Sequence, residues 1–370
     1  MRGVGAAARR DTKTRPSDRL QERKAKRSQM ASVEDIGIDL GSSNVLIYSR
    51  NRGIVLNEPA MLAVDHESRN VIAIGLEAYK MLGREPGNIE VIRPLHKGTI
   101  QGFDMLSIML NHFVVRVIGK HIFARPRAVM SVSASANEIE KRQLIIGMFE
   151  AGTRRTQLID RPLAAAIGAG MDISQYTGHM VADIGAASTD IAVLSSGEVS
   201  ARNIMPIGGD AFTDAIIRYV RLKHNLLIGF RTAEDIKCAI GSVWATGDST
   251  VTLPIAGRNL VSGLPKQMEV SREEIAEAME EPLHLMMEGL TAVMERIPPE
   301  LANDVYENGI LLTGGGAAMK GLQEVIGDGI KIPCRVADNP QQCVAIGCGK
   351  VLEHPGDYER FMGDRRKGKR

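Results

Sequence analysis

Residues 36–48 read IGIDLGSSNVLIY, and 144 residues further on residues 180–194 read MVADIGAASTDIAVL. Each is an apolar strand, an Asp, one intervening residue, a Gly, a small polar turn and a second apolar strand. Asp39 and Gly41 therefore correspond to Asp183 and Gly185. Repetition of a β-hairpin at this distance predicts two related α/β halves facing each other. A chain of 370 residues has room for about two domains.

Between and after the hairpins the pattern turns helical. Residues 104–119, DMLSIMLNHFVVRVIG, offer Asp104 as N-cap, and residues 136–152 end on Gly152 as a C-terminal cap. In LIDRPLAAAIGAG, residues 158–170, Pro162 fits the first helical position, where its missing N–H costs nothing. Arg161 then sits at a helix N-terminus, where the macrodipole disfavours a cation by roughly 0.3–1 kcal/mol. Further on come a strand-rich patch at 249–270 and a helix opening at Ser271, with Glu274 in capping-box spacing. A strand and Gly-rich turn at 309–322, GILLTGGGAAMKGL, and a last helical stretch at 341–354 complete the pattern.

Charge is distributed unevenly. Residues 1–30 carry +7 and residues 354–370 carry +3, so the body between them is at −8. Residues 1–33 have the composition of a basic disordered extension, and residues 357–370 form a basic tail. An acidic body with 4% aromatic residues does not fit a nucleic-acid partner. No secretory signal is visible, and no apolar run approaches the roughly 20 residues of a spanning helix. Cys238, Cys334, Cys343 and Cys348 contain no CxxC pair and are expected to be reduced, buried small hydrophobes in a cytosolic protein.

The two Asp-x-Gly turns carry the strongest chemical signal. A hairpin tip of Gly, Ser and Asn can aim backbone N–H and hydroxyl groups at phosphate. Paired Asp39 and Asp183 carboxylates suit a hydrated Mg²⁺, which keeps most of its waters. Residues 313–321, TGGGAAMKG, add a Gly turn before a helix N-terminus, which suits a nucleotide. Singly, each is an ordinary turn; the matched pair in a duplicated framework is much more specific.

These turns, with RPLAAAIGAG, TGGGAAMKGL and VAIGCGKVLEHP, resemble the actin/hexokinase/heat-shock ATPase superfamily. Within it, GIVLNEPAMLAV, MLGREPGNIEVIRPLHKGTI, NLLIGFRTAEDIK and PPELANDVYENGILLTGGG resemble the MreB family of bacterial actins, almost without gaps from residue 35 to 355. The resemblance implies an α/β, actin-like fold: two RNase H-like domains, IA and IIA, with smaller IB and IIB subdomains around a nucleotide cleft. It divides the chain into domain IA (34–62, 95–175 and 340–356), subdomain IB (63–94), domain IIA (176–210 and 271–339) and subdomain IIB (211–270).

It further implies ATP and Mg²⁺ as cofactors. Ser42, Ser43 and Asn44 match the first phosphate turn, and Ala186, Ala187 and Ser188 the second. Gly208, Gly209 and Asp210 lie near ribose and phosphates. Glu234 and Lys237 clasp the nucleoside, and Thr313, Gly314, Gly315 and Gly316 support the adenosine. Such proteins form antiparallel double protofilaments on the inner face of the cytoplasmic membrane and guide cell-wall synthesis and shape complexes. A homopolymer, or a copolymer with an active paralogue, is the expected assembly. In GKHIFARPR, Ile122 and Phe123 between cations match the family's apolar membrane loop, suited to anionic lipid.

The chain departs from the pattern at its chemical centre. The family's I-[DE]-E-P has its water-orienting Glu where this chain has Arg161, and a cation cannot polarise water as a carboxylate does. The usual D-I-G-G-G-T-T-E reads DIGAASTD, adding Cβ atoms at Ala186 and Ala187 where positive φ is one expectation. Phe230 replaces a Glu, and Ser133 to Ser135 read SAS in place of PSG. The reading is a shape-determining filament protein with weak or absent hydrolysis, in which Arg161 either contacts the γ-phosphate or disables nucleotide binding. A non-polymerising, membrane-linked scaffold is the alternative. A sugar kinase would need a catalytic Asp in a sugar pocket, for which there is no motif, and a heat-shock chaperone would need a peptide-binding domain.

Overall fold

A computed structural model describes residues 34–358, apart from 97–98, 120–124 and 245–249. The strands of the first half are β1 (Ile36–Leu40), β2 (Asn44–Ser49), β3 (Gly53–Pro59), β4 (Leu62–Asp65), β5 (Val71–Ile74), β6 (Ile89–Ile92), β7 (Leu95–His96), β8 (Thr99–Ile100), β9 (Arg127–Val132) and β10 (Arg155–Asp160). Those of the second are β11 (His179–Ile184), β12 (Thr189–Ser195), β13 (Glu198–Met205), β14 (Leu226–Leu227), β15 (Thr252–Asn259), β16 (Pro265–Ser271), β17 (Ile310–Thr313) and β18 (Cys334–Val336).

The duplication read from the hairpins extends to whole sheets. One five-stranded sheet runs β10-β9-β1-β2-β3 and the other β18-β17-β11-β12-β13. In both, the first three strands in sequence form an antiparallel meander and the last two add in parallel to its first strand. Two three-stranded sheets, β5-β4-β6 and β14-β15-β16, sit one on each half.

Strand alternation explains the layering. In β9, Met130 faces a core shared with the helix Phe103–Ile118, while Val129 faces the opposite way. In β11, Met180 and Ala182 pack with the helices Gly209–His224 and Arg272–Met294, and Val181 points to the other face. The inward faces of both sheets meet over one core, filled by the helices Arg161–Gly168 and Cys343–Glu353. This small-residue helix pair is the layer between the two halves.

Local signals at helix ends fared unevenly. Ser271 and Glu274 form the expected capping box, and Gly152, at φ 104°, follows the C-cap Ala151. Asp104 is not an N-cap; Gly102 is, and Asp104 lies in the first turn, where a carboxylate favours the helix dipole. Arg161 is itself the first helical residue after the N-cap Asp160, so Pro162 is one position later than its ring geometry suggested. Cys343 and Cys348 are buried as expected, but Cys238 is exposed, because it faces the open cleft between the halves, and Cys334 is half-buried at the margin of the second half's core. Among the described residues no helix is long and apolar enough to cross a membrane.

Candidate functional site

A cleft of about 800 Å³ opens between the two halves, within the range of small-molecule sites. Asp39, Gly41, Ser42, Ser43 and Asn44 line it from one side, and Asp183, Gly185, Ala186, Ala187 and Ser188 from the other. Arg161, Gly209, Asp210, Glu234, Lys237, Gly314, Gly315 and Gly316 also line it. Gly208 lies just behind, as N-cap of the Gly209–His224 helix, and Thr313 is buried beneath the floor. Ile122 and Phe123 lie outside the described residues.

The two turns are built alike. In each, a Gly N–H donates to the carbonyl three residues on, Gly41 to Asn44 at 3.1 Å and Gly185 to Ser188 at 2.9 Å. A Cβ at Gly41 would lie 2.6 Å from the Asn44 carbonyl oxygen, so only glycine fits there. The likeness reaches the acids. Asp39 accepts from the Ser131 hydroxyl at the end of β9, and Asp183 from the Thr313 hydroxyl at the end of β17, both at 2.8 Å. Neither Ala186 nor Ala187 has positive φ, which corrects the strain expected of these two substitutions. Their turn is buttressed from behind, where Gly209 N–H donates to Gly185 and Asp210 N–H to Ala186, at 3.0 and 2.7 Å. Cβ atoms at 186 and 187 are therefore compatible with the turn.

Arg161 lies between the turns. Its Nη2 donates to the Leu40 carbonyl at 2.8 Å and stands 3.5 Å from Asp39 Oδ1, while Nε is 3.7 Å from Asp190 Oδ2. The side chain is 14% exposed. Burial works against its charge, but Asp39, Asp183 and Asp190 outweigh burial and raise its pKa above the ordinary value. The carboxyls respond in kind. Burial pushes Asp183 up to about 7, with Arg161 opposing and Asp39 adding to the rise. Burial also raises Asp190, against the pull of Arg161. Sequence reasoning passed over Asp190, although it stands where the family pattern D-I-G-G-G-T-T-E ends in Glu. Its buried oxygens accept no hydrogen bond, and the buried Arg161 Nε makes none.

Asp39 and Asp183 were the expected hosts of Mg²⁺. Among the described residues, no three His, Cys, Asp or Glu side chains are grouped to hold a metal. A fixed guanidinium already stands against the acids of the floor. At an effective dielectric of 20, a dication about 5 Å from that charge loses roughly 7 kcal/mol, which offsets about one carboxylate's worth of the attraction that Asp39 and Asp183 would offer it. What is left for a divalent ion is two carboxyls already shared with a guanidinium, one of them pushed up to about 7.

On the far side, Lys237 Nζ donates to Glu234 at 2.7 Å, to Thr213 at 2.9 Å and to the Gly209 carbonyl at 2.8 Å. The i,i+3 pair is thus anchored to the second turn's buttress rather than loose in the cleft. The cleft mouth is bridged by contacts that the sequence did not announce. Arg93, just after β6, pairs with Asp210 at 2.7 Å and lies 4.8 Å from the centroid of the Phe230 ring. Arg231 stacks on Tyr79 at 5.6 Å. Both bridges are cation–π or charge contacts across the gap. Arg93→Ala is expected to remove about 1.5–3 kcal/mol of closure. Small-angle scattering should then give a larger radius of gyration than for the parent chain; an unchanged curve rules the bridge out as a clasp.

Paired five-stranded sheets of one topology, each with a small appended sheet and with turns facing across a cleft, define an actin-like fold. The chain matches the family model described as MreB/Mbl protein over residues 33–360. It belongs to the MreB/Mbl family. It is 42% identical to the cell shape-determining protein Mbl of Bacillus subtilis, over 87% of this chain and 96% of that one. It is 43% identical to the cell shape-determining protein MreB of Escherichia coli, over 87% and 95%. Among solved structures, MreB5 of Spiroplasma citri bound to AMPPNP superposes with a TM-score of 0.84 at 31% identity, covering 89% of this chain and 99% of that one.

Proposed function

We propose that this chain binds ATP and polymerises as a cell-shape protein, with hydrolysis weak or lost. The observation that carries the reading is Arg161, a largely buried cation between the two turns of an otherwise intact cleft. Attack on a γ-phosphate needs a group that orients water and accepts its proton. A guanidinium only donates.

In this reading the turns at 41–44 and 185–188 take the phosphates through backbone N–H groups and the Ser hydroxyls. Gly208, Gly209 and Asp210 lie along ribose and phosphates. Glu234 and Lys237 clasp the nucleoside, and residues 313–316 support the adenosine. Spiroplasma MreB5, whose crystal structure is of the AMPPNP-bound protein, supports nucleotide in this cleft. The names of the Mbl and MreB relatives support a role in cell shape. The division into IA, IB, IIA and IIB, antiparallel double protofilaments, peripheral contact with the inner membrane face through Ile122 and Phe123, and guidance of wall synthesis complete the proposal.

Phosphate release from the purified protein tests it. The parent chain is expected to release phosphate at least about tenfold more slowly than Arg161→Glu, which restores the water-orienting group, a barrier difference of about 1.4 kcal/mol. Equal and substantial turnover in both sinks the reading. Electron microscopy with ATP and anionic vesicles should show membrane-bound filaments; bare vesicles favour a scaffold.

A further inference from the structure

We propose that Arg161 is the cleft's built-in counter-cation, so that the chain binds nucleoside di- and triphosphates without a divalent metal. The inference rests on the nucleotide reading above and deepens it. Its first support is geometric. The guanidinium stands 3.5 Å from Asp39 and 3.7 Å from Asp190, and lines the cleft with both phosphate turns. Its Nη2 donates to Leu40, the residue preceding Gly41, which fixes it at the root of the first turn.

The second support is what remains unpartnered. Asp190 is buried, its side chain 3% exposed, and neither oxygen accepts a hydrogen bond. A buried carboxylate without donors must either take up a proton or lie opposite a cation. Arg161 is that cation, and its own Nε is buried without an acceptor. The two residues form a fixed charge pair of this chain's own making.

Phosphate oxygens arriving between the turns meet acids whose repulsion the guanidinium already offsets, with no ion recruited to do it. Arginine suits this task, because its planar fork donates to two oxygens at once and never deprotonates. A hydrated dication would have to share Asp39 and Asp183 with the guanidinium and would be repelled by it. The compensating charge is therefore part of the chain itself, and chelators should not matter.

The test is fluorescent-nucleotide titration of the full chain, with ATP and ADP analogues, in Mg²⁺ and in EDTA. Dissociation constants within about threefold of each other support the proposal. Arg161→Glu should bind only in Mg²⁺, weakening at least about tenfold in EDTA. If the parent chain binds in Mg²⁺ and loses the nucleotide in EDTA, the counter-cation inference falls while the nucleotide reading stands. No binding in either buffer overturns both. The parent-chain comparison decides the matter even where the variant does not fold.

Discussion

Arg161→Met is expected to lower the stability of the folded chain by about 3–5 kcal/mol, the cost of breaking a buried pair by removing one partner. The change keeps most of the side chain's volume and removes its charge. Asp190 is left buried with no donor and only the weaker pull of Arg202, and Asp39 and Asp183 lose the charge that offsets their mutual repulsion. The macrodipole argument at the helix start runs the other way, but at roughly 0.3–1 kcal/mol it is overridden by the acids. Denaturant midpoints with unchanged slopes give the measurement. Arg161→Met combined with Asp190→Leu should recover most of the loss, because both buried charges are then gone.

The loss should also depend on pH with a definite sign. Asp183 has a folded-state pKa of about 7, above its unfolded value, so the folded state binds the extra proton. Protonation of such a group stabilises the fold, and the contribution disappears as pH rises through about 7. In Arg161→Met the acids lean harder on protonation, so its deficit should shrink on acidification from about pH 8 to about pH 5. A loss under about 1 kcal/mol, flat with pH, removes Arg161 from its role as counter-charge.

What the sequence disclosed follows from the range over which its signals act. A hairpin is local, so the twin turns, their glycines and the matched acids were readable within 15-residue windows, and their repetition implied the paired sheets. The oddity of Arg161 was also local, since Pro162 marks a helix start. Its partner was not. Asp190 lies on β12, and nothing in periodicity says that its side chain turns inward beneath a cation 29 positions away. The cross-cleft bridge joins residues 117 apart, Arg93 and Asp210, and exists only once the two halves have closed. Phe230 stood out as a departure, but the cation above its ring comes from the other half of the molecule. Asp104 and Pro162 show the remaining weakness: a plausible cap residue one or two positions from a terminus does not fix which residue takes the cap.

The second large effect is expected at the helix pair that joins the halves. A Cβ at Gly168 would lie 1.7 Å from the Cys343 carbonyl oxygen, and one at Gly347 would lie 1.9 Å from that of Ala164. The glycines are reciprocal, each admitting the backbone of the other helix, so neither helix can yield without lifting off its partner. Gly168→Ala or Gly347→Ala is expected to cost about 3 kcal/mol or more, at the top of the range for overpacking, because backbone rather than a flexible side chain stands in the way. Gly356→Ala, with nothing within 4 Å, is the control and should stay within about 0.5 kcal/mol. The consequence extends to the cleft. The Gly168 helix begins with Arg161, whose guanidinium is held by Leu40 and the acids across a span of a few ångströms. A shift of that helix by even one ångström changes those distances, so nucleotide affinity should fall together with stability in Gly168→Ala. Affinity that holds while stability collapses would mean that the cleft is positioned by the sheets alone, with the helix pair serving only as filling between them.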